Sequence, residues 1–318
     1  MFYVGLDVGG TTMKAAVVDD DGTPRAAAVS LPTEPARGQE FGLAQMCETI
    51  RRAIAAAGMR LDDIAAIGVA TPGLMDIPAG VILDPMNLKP WKNVPVKAHV
   101  ARAFGKPTAF QNDANAAALG EFWAGAGRDA SSMVLFTLGT GVGGGIVIGG
   151  KVVEGRHSHG GELGHMKIEM TEPRLCGCGR YGCLEAYAGA TAIVKRTREA
   201  LEGDRQGSSL AAVEDLTARD VFLAAASGDA LGARIVEETA YYLAIGAMNA
   251  MHMLDPDLVV FGGGMIAAGE GFLGRIRHHV RELAFAVLAA NTEIRYARLG
   301  GDAGFIGAAA CGRALVVG

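Results

Sequence analysis

The chain has 318 residues, half of them apolar and 20% charged, which suits two folded domains and does not suit disorder. Its net charge of -5 offers no basic footprint for nucleic acid and no polybasic block for an anionic membrane, so small molecules are the expected partners. No basic segment followed by an apolar run opens the chain at Met1 to Gly5, so no secretory leader is expected and a cytoplasmic protein is. Glycine is the one deviation: 46 residues, about twice the usual share, implies close backbone approach to a ligand.

In chain order, residues 2 to 8 (FYVGLDV) predict a strand ending in Gly9 and Gly10, and Lys14 to Val18 a second. Asp21-Gly22 turns the chain toward a third strand, roughly Ala26 to Leu31. A helical stretch, Gly42 to Ala57, precedes a strand over Ile64 to Ala70 that ends in Thr71-Pro72-Gly73; Thr108 to Gln111 then reads as a strand and Ala114 to Ala124 as a helix. The opening pattern starts again at Met133 to Leu138, an apolar strand running into Gly139-Thr140-Gly141 and a further strand, Gly144 to Ile148. Seven glycines and two threonines interrupt the uncharged stretch Ser132 to Gly150, which argues against a membrane span there. The second half holds a cysteine cluster, a polar surface loop over Glu202 to Ser209 and a long helix, Ala233 to Leu254, stopped by Asp255-Pro256. A strand over Leu258 to Phe261 leads into Gly262-Gly263-Gly264, and a helix over roughly Gly304 to Leu315 closes the chain. The repeat predicts two similar α/β halves flanking a cleft.

Asp7-Val8-Gly9-Gly10-Thr11-Thr12 puts a carboxylate at a strand end, then glycines, then two hydroxyls. Glycines let backbone N–H groups converge on phosphate oxygens, the hydroxyls donate further bonds, and the carboxylate can hold a Mg²⁺-bound water. A tight hairpin that merely needs glycine would look the same. The second loop, with Thr140 and Gly141, shifts the balance toward a nucleotide clamped from both sides, and Gly262, Gly263 and Gly264 offer a third contact near adenosine. Neither loop has the P-loop pattern or the dinucleotide-binding Gly-x-Gly-x-x-Gly that opens a helix.

Asn112 and Asp113 stand between a strand and an alanine-rich helix. One reading is a helix N-cap. The other is a catalytic pair at a strand end, where α/β sheets meet ligands, with Asp113 as base and Asn112 fixing a neighbouring sugar hydroxyl. Glu162, His165 and Glu185 supply further acceptors for vicinal hydroxyls. Cys176, Cys178 and Cys183 set three thiols within eight residues, with glycines at 177, 179 and 182, a knuckle suited to structural Zn²⁺ rather than a disulfide. His165 can supply the fourth ligand, with His157 and His159 close by. Cys47 and Cys311 read as buried small hydrophobes.

With these residues assembled, the chain resembles the ROK family of sugar kinases and repressors, closest in appearance to its bacterial glucokinases. DVGGTTMK, ATPG, NDANAAALGE, LGTGVGGG, GGELGH, CGCGRYGCLE and FGGG carry the resemblance across nearly the whole length. It implies the actin-like ATPase (ribonuclease H-like) duplicated fold, and ATP with Mg²⁺ as phosphate donor. It implies a structural zinc on His165, Cys176, Cys178 and Cys183. The implied sugar pocket is Asn87, Asn112, Asp113, Glu162, His165 and Glu185, with Asp113 deprotonating the 6-hydroxyl of glucose. Gly73 is added beside the sugar and Lys14 beside the nucleotide.

Relatives that phosphorylate N-acetylglucosamine, N-acetylmannosamine, mannose, allose or fructose share most of these motifs. The family's repressors carry a helix-turn-helix domain ahead of the first phosphate loop; here that loop begins at Asp7, so no DNA binding is expected. A homodimer, or a tetramer, is the expected assembly. The expected domains are 1–113 completed by about 301–318, and 114–300 with the zinc motif, hinged near 113–116 and near 300.

Overall fold

The structure is a computed structural model and describes residues 1–203 and 207–317; the loop expected over Glu202 to Ser209 lies partly outside them. Strands β1 (Phe2–Val8), β2 (Thr12–Asp19) and β3 (Val29–Pro32) pair antiparallel in succession. After α1 (Gln39–Ala56), β4 (Ile64–Thr71) returns parallel to β1. A hairpin of β5 (Leu74–Asp76) and β6 (Val81–Asp84) follows, then α2 (Val96–Phe104), β7 (Thr108–Asn112) parallel to β4, and α3 (Asp113–Ala124).

The second run begins with β8 (Ser132–Leu138), β9 (Val142–Ile148) and β10 (Lys151–Val152). Helices α4 (Glu185–Ala188), α5 (Ala190–Gly203), α6 (Ala218–Ala226) and α7 (Ala230–Leu254) lead to β11 (Leu258–Gly262). Helices α8 (Glu270–Leu283) and α9 (Ala286–Asn291), strand β12 (Glu293–Tyr296) and helix α10 (Ala303–Val317) complete the chain.

The two five-stranded sheets have the orders β3-β2-β1-β4-β7 and β10-β9-β8-β11-β12. Replacing β1, β2, β3, β4 and β7 by β8, β9, β10, β11 and β12 converts one into the other, so the repeat read from the glycine turns is a duplication of topology. In both, the later strands run parallel to the first. Their central strands are nearly all buried, as parallel strands covered on both faces require. The third strand starts at Val29 rather than Ala26, because Pro24 bridges Val18 and the Arg25 N–H donates to the Val17 carbonyl, which prolongs the preceding turn.

The chain divides into two compact units: Met1–Ser132 with Gly145–Gly161 and Arg298–Gly318, and Met133–Gly144 with Glu162–Ala297. Helix α3, expected from the sequence to lie beyond a boundary at 113, belongs to the first unit because it packs on α10. That packing depends on glycine. A Cβ on Gly307 would stand 1.6 Å from the Ala116 carbonyl oxygen, and one on Gly5 or Gly68 would stand 1.7 or 1.6 Å from the carbonyl oxygen of Phe305 or Ala308. Helix α10 therefore lies directly on β1, β4 and α3, with no room for a methyl group. The main core of this unit lies between the sheet and α1 and α2, around Leu6, Met13, Met46, Ile50, Ile67 and Trp91. Among the described residues no helix is long and apolar enough to cross a membrane.

Candidate active site

In the first unit, the turn after β1 is closed by the Gly9 N–H donating to the Thr12 carbonyl at 2.8 Å. Thr33 holds it from the side, its hydroxyl donating to the Gly9 carbonyl at 2.7 Å and its N–H to the Thr11 carbonyl at 2.8 Å. Thr12 is already the first residue of β2, so the hydroxyl of Thr11 is the one on the turn itself. Asp7, at the end of β1, packs against Gly304 in the first turn of α10, where a Cβ would sit 2.2 Å from its Oδ2. Burial first, and then the neighbouring Asp113 charge, raise the Asp7 carboxyl to about 7, with Lys14 opposing both. The Lys14 ammonium donates to the Gly301 carbonyl at 3.0 Å and pairs with Asp302.

Gly73 adopts a φ of 98°, and a Cβ there would meet the Cα of Pro85 at 2.7 Å. The turn after β4 is thereby packed on the segment that carries Asn87, whose carbonyl oxygen would lie 3.1 Å from a Cβ on Gly10. Gly73 acts through its backbone, bringing Asn87 to the glycine turn.

At the junction of β7 and α3 the N-cap reading of the polar pair is met. Asn112 is the N-cap: its Oδ1 accepts from the N–H groups of Ala114 at 2.9 Å and Asn115 at 3.1 Å. Capping uses the oxygen and does not consume the NH₂. Asp113 is the first helical residue, and its Oδ1 also accepts from Ala114 N–H, at 2.8 Å.

In the second unit, the loop from Gly139 to Gly141 is fixed by its carbonyls, which accept from Ala190 N–H at 3.0 Å and Thr191 N–H at 3.2 Å. Glu185, at the start of α4, accepts from the Val142 N–H at 3.1 Å, and a Cβ on Gly141 would fall 2.0 Å from its Oε2. Its other oxygen takes a hydrogen bond from the Cys176 thiol at 3.2 Å, so one carboxylate ties the glycine loop to the cysteine knuckle. Gly263, with φ 89°, packs on Leu138, whose carbonyl oxygen a Cβ would meet at 2.4 Å. Gly262, Gly263 and Gly264 are thus gathered beside the second loop.

The ligand atoms of His165, Cys176, Cys178 and Cys183 all lie within 4.8 Å of one another. Cys176 Sγ is 3.8 Å from His165 Nδ1 and Cys178 Sγ is 3.8 Å from Cys183 Sγ. Sulfurs held about 2.3 Å from one tetrahedral centre stand about 3.8 Å apart, so the donor set fits zinc in chemistry and spacing. The group includes His165 and neither His157 nor His159. His165 turns Nδ1 to the thiols and Nε2 toward Glu162, 3.9 Å away. Gly164, on whose missing Cβ the Val142 carbonyl would impinge at 1.8 Å, seats that turn against β9.

The chain matches the ROK family over residues 3–314. It belongs to the ROK family. It is 37% identical over 310 residues to a glucokinase of Halalkalibacterium halodurans, covering 96% of this chain and 93% of that one. Among solved structures, a ROK hexokinase from Thermus thermophilus superimposes with a TM-score of 0.85 at 35% identity, covering 99% of each chain. A ROK glucokinase from Streptomyces griseus in complex with glucose and AMPPNP gives 0.80 at 31% identity, over 99% of this chain and 100% of that one. Other relatives differ in name: an N-acetylmannosamine kinase of Citrobacter koseri is 32% identical over 97% of this chain and 98% of that one, and a xylose repressor of Caldicellulosiruptor bescii is 31% identical, with this chain spanning 63% of it.

Three carboxylates of this ROK chain escape a reading of the sequence alone. Glu121 is fully buried on α3 and accepts from the N–H groups of Ala126 at 2.8 Å, Arg298 at 3.0 Å and Leu299 at 2.7 Å. It clasps the chain leaving α3 and the chain arriving at α10. Glu154 accepts from Gln111 Nε2 at 2.7 Å, while Gln111 Oε1 accepts from the N–H of Asn112 at 2.8 Å, which steadies the turn from β7 into α3. Asp302 holds Lys14. Of the three, only Glu121 sits within a family motif, NDANAAALGE, and two of its three partners lie 177 and 178 residues away, so no local pattern signals its task.

Proposed function

We propose that this chain transfers the γ-phosphate of ATP, bound with Mg²⁺, to the 6-hydroxyl of a hexose, glucose first, with Asp113 accepting the hydroxyl proton. The observation that carries this reading is the Asn112–Asp113 pair at the mouth of β7, in the same unit as the buried Asp7 and the glycine turn. The names of the ROK relatives support it: a glucokinase and a structure holding glucose and AMPPNP.

Phosphoryl transfer through a loose transition state removes the acceptor's proton late, so an ionised, weakly basic Asp113 suffices if it is well placed. Asn112 caps α3 with its oxygen and offers its NH₂ to an adjacent sugar hydroxyl. Glu162, Glu185, His165 through Nε2, and Asn87 are the further candidates for sugar hydroxyls. Mg²⁺ carried in with the nucleotide neutralises charge on the phosphates. Asp7, whose carboxyl burial helps raise to about 7, is driven to its ionised form on meeting that cation or its bound water. Backbone N–H groups of Gly9, Gly10, Thr11 and Gly141, with the hydroxyls of Thr11, Thr12 and Thr140, are the phosphate donors, and Gly262 to Gly264 approach the nucleoside. Lys14 reaches a phosphate on release from Asp302. His165, Cys176, Cys178 and Cys183 would hold a structural zinc that keeps Glu185 and His165 in place and takes no part in the transfer.

A second reading changes the sugar and keeps the mechanism, and the N-acetylmannosamine kinase relative favours it. A non-catalytic sugar-responsive regulator is a third. Release of ADP measured across glucose, mannose, fructose and the N-acetylhexosamines, with ATP, ADP and polyphosphate tried as donors, separates them. Glucose with ATP is expected to give the highest kcat/KM and a 6-phosphate product by NMR. Turnover confined to an N-acetylated sugar would replace glucose. Sugar binding without any phosphate transfer would replace the enzyme by the regulator.

A further inference from the structure

Away from the glycine loops and the cysteine knuckle, α8 carries a second group of metal-ligating side chains. His278, His279 and Glu282 occupy positions i, i+1 and i+4, and at about 100° per residue Glu282 falls between the two histidines on one arc of the helix. Their ligand atoms all lie within 4.8 Å of one another. His278 Nε2 is 3.4 Å from Glu282 Oε1, and His279 Nδ1 is 3.5 Å from Glu282 Oε2. Nitrogen and oxygen atoms bound about 2.0–2.1 Å from a tetrahedral centre are separated by about 3.4 Å.

A separate observation concerns His279. Its other nitrogen, Nε2, stands 2.7 Å from Glu237 Oε1 on α7, a full hydrogen bond. The second oxygen of Glu237 is paired with Arg275, and the edge of the ring meets Tyr241. With Nε2 held by Glu237, the ring turns Nδ1 to the Glu282 carboxylate, an arrangement in which the two can share a cation. A histidine that gives one N–H to a carboxylate and turns its other nitrogen to an ion is the usual outer arrangement of a metal site. His279 is largely buried, whereas the side chains of His278 and Glu282 are 58% and 60% exposed and free to close on an ion.

We propose that His278, His279 and Glu282, backed by Glu237, form a second metal site on α8, separate from the cysteine cluster, for a borderline divalent ion such as Zn²⁺, Ni²⁺ or Co²⁺. Two imidazoles and one carboxylate disfavour Mg²⁺, which takes oxygen ligands. Water completes the coordination on the exposed side. Through His279 and Glu237 the ion joins α8 to α7.

The test is calorimetric titration of the full chain with Zn²⁺ and with Ni²⁺, after desalting to a constant content of tightly held metal. A further equivalent of micromolar affinity is expected for the unaltered protein. His278→Ala and Glu282→Gln should each weaken it about tenfold or more, and Glu237→Gln by about tenfold through the released His279 ring. The tightly held metal, the thermal midpoint in chelator and the turnover should be unchanged in His278→Ala and Glu282→Gln, which shows that the fold is intact. Absence of the further equivalent up to millimolar metal would overturn the proposal and leave His279 as a protonated bridge between Glu237 and Glu282. So would binding that His278→Ala and Glu282→Gln do not alter.

Discussion

The turn after β1 and the turn after β8 occupy the same place in two sheets of the same strand order, yet they are held by different forces. Around the first stand charged side chains: Asp7, Lys14, Asp302 and Asp113. The second is a nearly neutral loop whose carbonyls are tied to the start of α5 and whose one carboxylate, Glu185, is spent on the Val142 N–H and the Cys176 thiol. Duplication supplied the strand–turn–strand scaffold twice. The side chains then differ: ionisable groups gather at the first copy, backbone shape and a cysteine scaffold at the second.

Perturbing each copy should give a different signature. The largest effect is expected at the cysteine knuckle, because structural zinc sites in small modules contribute on the order of 10 kcal/mol. Cys183→Ser should abolish dialysis-resistant zinc, measured by metal analysis, and lower the thermal midpoint more than substitution of Glu121, Asp7 or Gly141. A protein that keeps normal stability without metal would show the knuckle to be held by packing alone.

Next comes Glu121→Ala, which takes the acceptor from three N–H groups at once and should cost roughly 3 kcal/mol in a denaturant titration. Gln at this position keeps one acceptor and should recover part of the loss.

At Asp7 the effect depends on pH. A carboxyl whose folded pKa is raised from 3.8 to about 7 favours the folded state below pH 4, and that contribution declines as pH rises from about 4 to about 7. Asp7→Asn removes the decline, so the ligand-free variant should be more stable than the parent at pH 8 and indistinguishable near pH 4. Its turnover should fall even so. A parent whose stability is flat from pH 4 to 7 would contradict the placement of Asp7.

The mildest change is Gly141→Ala. Its new methyl group must displace the Glu185 carboxylate, which is the movable end of a side chain, so the sugar KM should rise about tenfold, or about 1.4 kcal/mol, with kcat less affected.

Much of this architecture is legible in the sequence because its signals are local. Alternating and apolar runs mark β1, β4, β7, β8 and β11, and the two glycine–threonine turns betray the duplication. The polar pair before α3 is legible as two alternatives, and Asn112 and Asp113 divide them: one caps, the other is the first helical residue. The domain boundary reads too early because nothing in NDANAAALGE reveals that Gly120 and Ala116 must meet Gly307, near the far end of the chain. Glu121 passes for one more helical glutamate for the same reason. Which of three nearby histidines joins the three cysteines is set by a turn whose path depends on Gly164 packing against β9.

The division of labour rests above all on Asp113. Sugar-dependent ADP release by Asp113→Asn, with glucose binding followed in parallel by calorimetry, tests it most directly. The amide keeps the shape and the hydrogen bond from Ala114 but cannot take a proton at neutral pH, so kcat should fall about a thousandfold or more, equivalent to about 4 kcal/mol, while the glucose Kd stays within about threefold. A variant that turns over at near the parent rate would show that another group receives the proton.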